Sequence, residues 1–179
     1  ENNTVKDDGS IKRSSGGGIS LPWASYTAVI DGCTIAENII DMSGKTSSDS
    51  RLEAKGCGLA CSATTDSITI IKGNTVIKNN QCVPHALKSC DCKGMGIFCG
   101  GGPLTIGETD KGDPESPEIL NHGNSIPERV DVAGTALYIK KKGTVRWLSG
   151  RIHNNGSNAN NSIKNDGGTL SNLSENSPS

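Results

Sequence analysis

The chain has 179 residues, a formal net charge of −1 and a sequence pI near 6.3, a balance that gives nucleic acid or an anionic membrane no electrostatic hold. Hydrophobic residues make up 32% of it and aromatics 3%, which leaves disorder or a thin core of small aliphatic side chains in place of an ordinary compact globule. No apolar run is long enough to span a bilayer, and the opening Glu1-Asn2-Asn3-Thr4 does not read as a secretory leader.

One domain is the expectation at this length, with residues 1–15 as a flank or partial coil. The phrase Gly16-Gly17-Gly18-Ile19 then opens a first unit, 16–55. Ile19 and Leu21 alternate onto one side of a strand. Val29-Ile30 forms a second strand after a turn, and past Gly32 a third, Cys33-Thr34-Ile35, has Asn38 three residues beyond it. The second unit, 56–93, repeats this as Gly56-Cys57-Gly58-Leu59, with Leu59 and Cys61 alternating, then Ile68-Thr69-Ile70-Ile71, then Gly73-Asn74-Thr75-Val76 and Asn79.

The third unit, 94–133, opens as Gly94-Met95-Gly96-Ile97 and continues through Cys99 and Leu104-Thr105-Ile106. An acidic, proline-bearing insert, 107–118, follows. The unit is expected to resume at Gly123-Asn124-Ser125-Ile126, with Arg129 where the asparagine belongs. The fourth, 134–155, runs Gly134-Thr135-Ala136-Leu137, Ile139, Val145-Arg146-Trp147-Leu148, Ile152 and Asn155. Residues 156–179 form an Asn/Ser-rich end in which Gly167-Gly168-Thr169-Leu170 starts a truncated fifth copy, so both ends read as cuts through a longer array.

The aliphatics at 19, 59, 97 and 137 are 40, 38 and 40 residues apart. Three short strands cannot bury an apolar face alone but can do so stacked on copies of themselves. The expected fold is all-β, a right-handed parallel β-helix (solenoid) of about four to five coils, with Asn38, Asn79 and Asn155 stacked as structural turn residues. The surplus chain, 41–55, 81–93, 107–118 and 156–166, is expected to leave as long loops.

Seven cysteines concentrate around the second and third units. Cys61 and Cys99 hold equivalent positions, about 4.8 Å apart if their coils are adjacent, which a disulfide can bridge or two buried thiols can fill. Cys90 and Cys92 are too close for an easy mutual bridge, so one or both are expected to pair with Cys82, Cys57 or another loop cysteine in an oxidising, extracellular setting. Cys82, His85, Cys90 and Cys92 also offer a secondary candidate zinc set, although their spacing matches no common zinc module. No cofactor is expected.

Polysaccharide cleavage on such a fold needs clustered carboxylates on a rigid face. Asp31, Lys72, Glu108 and Ser149 fall at equivalent places and do not repeat one, and the acidic insert reads as a solvated loop. Lys140, Lys141, Lys142, Arg146 and Arg151, with Trp147 turned inward among them, read as a solvated face or a partner patch for acidic glycans or a host protein. Sequons stand at Asn2, Asn155, Asn160 and Asn172.

The pairing of Gly17-Gly18-Ile19, Gly58-Leu59, Gly96-Ile97 and Ala136-Leu137 with Ile35-Ala36-Glu37-Asn38, Val76-Ile77-Lys78-Asn79 and Ile152-His153-Asn154-Asn155 resembles the Gly-Gly-Ala-Ile and Phe-x-x-Asn repeats of the polymorphic outer-membrane proteins of chlamydiae. Ile or Val stands where that family prefers Phe. The resemblance implies an autotransporter-like bacterial surface adhesin, with this segment outside the cell as part of a longer repeat array and not itself inserted in the outer membrane. The expected function is a non-enzymatic adhesin and display scaffold binding host cell-surface or matrix proteins or glycans. The alternatives are a carbohydrate-active enzyme (polysaccharide lyase, hydrolase or phage-type depolymerase) and a structural envelope or filament component.

Overall fold

A computed structural model describes residues 2–6, 13–21, 24–46, 48, 51–62, 64–108, 116–120, 122, 130–155 and 162–172. These form twenty short strands: β1 (Thr4–Lys6), β2 (Arg13–Ser15), β3 (Ile19–Leu21), β4 (Thr27–Asp31), β5 (Thr34–Ala36), β6 (Ile39–Asp41), β7 (Arg51–Lys55), β8 (Leu59–Ser62), β9 (Ile68–Lys72) and β10 (Val76–Lys78). There follow β11 (Gln81–Val83), β12 (Ser89–Lys93), β13 (Ile97–Ile106), β14 (Glu118–Leu120), β15 (Val130–Ala133), β16 (Leu137–Lys140), β17 (Gly143–Trp147), β18 (Arg151–His153), β19 (Ile163–Asp166) and β20 (Thr169–Asn172). The strand-to-strand ladders are parallel, and their registers join residues of successive repeats, as in Ile19↔Leu59↔Ile97↔Leu137↔Ile163 and Ile35↔Ile77↔Ile119↔Ile152.

The expected single β-helix of four to five coils is not what these ladders build. The strands belong to four separate sheets, ordered β1-β6-β11, β18-β14-β10-β5, β15-β12-β7-β2, and a curled nine-stranded sheet around β13. The departure has a physical origin in the supposed loops. Residues 41–55 and 81–93 carry β7, β11 and β12, and 156–166 carries β19, so chain expected to leave the stack forms ladders of its own. β13 runs ten residues and shifts register between Cys99 and Gly101, pairing β8 and β16 through its first half and β9 and β17 through its second. Two expected strand sets therefore fuse into one sheet.

The interior divides in the same way. The larger apolar cluster gathers Ile35, Leu59, Ile77, Ile97, Ile106, Ile119, Leu137, Val145 and Trp147. A second, sulfur-rich cluster of Ile40, Met42, Leu52, Cys57, Cys82, Cys90, Cys92 and Met95 lies between strands from two other sheets. Burying each aliphatic of these rows contributes about 1.5–3 kcal/mol, and the dominance of Ile, Leu, Val and Ala explains how so few aromatics suffice.

The Gly-x-Gly phrase has two jobs. Its first glycine turns the corner in the left-handed region: at Gly94, φ is +65° and a Cβ would stand 2.0 Å from the Ile97 carbonyl oxygen. Its second lets the next repeat approach, since a Cβ on Gly58 would lie 2.7 Å from both Asn80 Nδ2 and the Gly96 carbonyl.

In the third repeat the insert ends earlier than the spacing predicts. Ile119 on β14 pairs with Ile77 and Ile152, so the third strand resumes at Glu118. Gly123-Asn124-Ser125-Ile126 and Arg129 lie outside the described residues.

Candidate functional site

The polar group common to the repeats is buried. Asn3 donates from its amide N–H and Nδ2 to Asn38 Oδ1 (3.2 and 2.9 Å), and Asn38 donates likewise to Asn80 Oδ1 (3.0 and 2.8 Å). Asn80 Nδ2 donates to the Ile35 carbonyl (3.1 Å) and meets His122 Nε2 at 3.1 Å. His122 donates from its amide and Nδ1 to Asn155 Oδ1 (2.9 and 3.0 Å), and Asn155 Nδ2 donates to the Ile119 carbonyl (2.8 Å). Asn38, Asn80, His122 and Asn155 are all buried, and pairing each to the next repeat satisfies groups that would otherwise be costly inside.

This corrects one position and supplies another. Asn38 and Asn155 are ladder residues as expected, but the second rung is Asn80. Asn79 occupies the preceding corner at φ +53°, where Glu37 and Asn154 stand in their repeats at +57° and +55°. The spacing missed His122 because an imidazole there matches no amide motif. Asn155 is also a sequon residue, yet its Nδ2 is committed to the ladder in the interior.

A charged face lies on the sheet of β2, β7, β12 and β15. Register places Arg13 beside Glu53, Glu53 beside Asp91, and Asp91 beside Asp131. Glu53 receives Arg13 Nε at 2.7 Å, Lys93 Nζ at 2.6 Å and Lys55 Nζ at 3.1 Å. Burial alone would raise the Glu53 pKa, but hydrogen bonds from Lys93 and Lys55 outweigh it and hold the carboxyl down at about 2. Arg51 donates from Nε to Asp91 (2.7 Å) and from a terminal nitrogen to Asp131 (2.6 Å). Beside this row, Phe98 and Tyr138 stack at 5.7 Å, with Lys55 Nζ 5.5 Å from the Phe98 ring and Lys93 Nζ 5.9 Å from the Tyr138 ring.

Three carboxylates thus share a face that motif spacing does not predict, because the composition of 41–55 reads as loop. Their chemistry is that of a neutralised row. A general acid needs a pKa near the working pH, and Glu53 is held far below it while Asp91 and Asp131 clamp one guanidinium. A second exposed row joins Asp31, Lys72 and Glu108 through Lys72 Nζ (3.4 and 2.8 Å), with Ser149 Oγ accepting the Glu108 amide at 3.2 Å. Of the acidic insert, residues 109–115 lie outside the described residues.

The expected basic patch is divided. Lys140, Lys141 and Lys142 are exposed at the turn from β16 to β17 and Arg146 on β17, in the nine-stranded sheet. Arg151 lies on β18 in a different sheet, ion-paired with Glu118. Trp147 points inward beside Val145.

The cysteines separate into groups. Cys61 and Cys99 are register partners inside the larger apolar cluster, where Cys99 Sγ turns toward the Gly102 carbonyl (4.0 Å). Cys82 Sγ lies 3.4 Å from Cys90 Sγ, and Cys57 Sγ lies 3.6 Å from Cys92 Sγ, all four as buried thiols. His85 accepts the Leu87 amide at Nδ1 (3.0 Å) in the turn after β11. Among the described residues no group of three or more His, Cys, Asp or Glu is arranged to hold a metal ion, so the zinc set of Cys82, His85, Cys90 and Cys92 is not assembled.

No protein family, curated protein or solved structure matches the chain.

Proposed function

We propose that this chain is an extracellular segment of a bacterial surface protein, acting as an adhesin and display scaffold without catalytic chemistry of its own. The observation that carries the reading is the buried rung Asn38–Asn80–His122–Asn155. It fixes each repeat on the next while leaving the outward rows free to differ from repeat to repeat. Stiff stacking with varied exposed rows suits a stalk that presents contact residues to host cell-surface or matrix partners. The motif resemblance to polymorphic outer-membrane proteins supports the same assignment, and with it a place on the cell surface.

Binding of the purified segment to cultured host cells and to immobilised matrix proteins, measured by biolayer interferometry, tests the proposal. Saturable binding supports a contact role, and its loss on reversal of the Lys140–Lys142 charges places the contact there. No binding to any of these surfaces, together with release of reducing or unsaturated ends from polysaccharides, replaces it with the carbohydrate-active reading. That second reading would have to draw on Glu53, Asp91 and Asp131, the carboxylates gathered on one face, and it fails if Asp91→Asn leaves cleavage unchanged.

A further inference from the structure

We infer that four of the seven cysteines close two buried disulfides, Cys82–Cys90 and Cys57–Cys92, as the chain folds. Cys90 and Cys92 alternate with Asp91 on β12, so both turn inward while the carboxylate faces out. Two residues apart on an extended strand, their Cα atoms are separated by about 6.6–6.8 Å, at the outer limit for a bond between them. Each instead has its own hydrogen-bonded partner, with Cys82 also within reach of Cys92. Cys82 arrives on β11 from another sheet and faces Cys90 at 3.4 Å; Cys57 sits in the corner after β7 and faces Cys92 at 3.6 Å. Sulfurs already in contact are placed to bond to each other. Cys61 and Cys99 differ, being register partners on one parallel ladder, and Cys33 is exposed on the outside.

The two bonds have distinct consequences. Cys82–Cys90 clasps the turn that carries the exposed Leu87 and ties β11 to β12, strands of different sheets. Cys57–Cys92 sews the corner that opens the second repeat to β12, the strand that closes it. Thiol–thiol hydrogen bonding at Cys90 and Cys92, with burial at all four, raises the pKa of these thiols, and burial removes them from solvent, so the exchange belongs to folding, before β11 and β12 dock. A cysteine thiolate attacks a low-molecular-weight disulfide such as oxidised glutathione, giving a mixed disulfide, and the partner thiolate displaces the second glutathione. Per bond, the protein gives up two thiol protons and two electrons, and one glutathione disulfide becomes two thiols.

The test refolds reduced protein in a glutathione redox couple, alkylates it under denaturing conditions and measures intact mass. The expected product carries three alkyl groups, on Cys33, Cys61 and Cys99, and in unalkylated form is about 4 Da lighter than the reduced chain. Cleavage before Asp91 and after Lys93 separates Cys92 from both Cys90 and Cys99, and non-reducing peptide mapping then links Cys82 to Cys90 and the peptide holding Cys57 to that of Cys92. Cys57→Ser is expected to free Cys92 alone and to keep Cys82–Cys90; Cys82→Ser frees Cys90 alone. Seven alkylated cysteines in refolded wild-type protein with its β-rich circular dichroism overturn the inference, as does a dominant Cys82–Cys92 or Cys61–Cys99 linkage. The wild-type mapping decides the matter even if a variant fails to fold, and the result is independent of whether the chain is an adhesin.

Discussion

His122 makes the stack sensitive to mild acid. Asn80 Oδ1 already accepts from Asn38, so the Asn80 amide cannot flip, and its Nδ2 faces His122 Nε2. Nε2 must therefore accept, and Nδ1 carries the proton donated to Asn155 Oδ1. A second proton would set N–H against N–H in the interior. Burial accordingly lowers the His122 pKa from 6.5 to about 4, with the Asn155 hydrogen bond opposing the shift. The unfolded chain binds the proton first, so stability is intact above pH 6.5 and is lost as pH falls toward 4. At 1.36 kcal/mol per pKa unit, the full loss is about 3 kcal/mol, of which about 2 kcal/mol falls between pH 7 and pH 5. Glu53, with its carboxyl at about 2 against 4.5, loses its contribution mainly below pH 4.5, so the upper window isolates the imidazole. Urea denaturation at pH 7, 6 and 5 measures the slope. His122→Asn restores an amide rung and is expected to stay within about 1 kcal/mol of wild type at pH 7 while removing most of the loss by pH 5. If His122→Asn keeps the same pH dependence as wild type, the tautomer argument is wrong.

Three further outcomes follow from the same contacts. Asn80→Leu leaves Asn38 N–H and Nδ2 without their acceptor and is expected to cost about 2–4 kcal/mol in urea denaturation, whereas Asn79→Gly, at a left-handed corner, is expected to be neutral or to stabilise slightly. The opposite order would return the rung to Asn79. Gly94→Ala forces a Cβ against the Ile97 carbonyl at positive φ and is expected to lower stability by about 3 kcal/mol or more, seen as a collapsed thermal midpoint by circular dichroism. Glu53→Gln removes the charge shared by Arg13, Lys55 and Lys93 on a partly solvated face, with an expected cost of about 1 kcal/mol at pH 7 that vanishes near pH 2.

The sequence alone determined the local units. Period-two alternation placed Ile19, Leu59, Ile97 and Leu137 at strand starts, and their even spacing made them register partners. Both are properties of neighbours along the chain and of repetition, which a sequence displays directly. Tertiary structure decided what the intervening chain does. Leu52, Ala54, Cys90 and Cys92 alternate as cleanly as any strand, but their Ser, Gly and charged surroundings read as loop until β7, β12 and β15 pair. That pairing divides the expected single solenoid into four sheets and assembles the Glu53–Asp91–Asp131 row. It also brings Cys82 to Cys90 and Cys57 to Cys92 out of several arithmetically equal combinations. His122 entered the asparagine ladder the same way, because a buried rung asks for a donor and an acceptor at the right places and not for a particular residue type. Motif spacing records which residues repeat; only the packed stack records which polar atoms must meet.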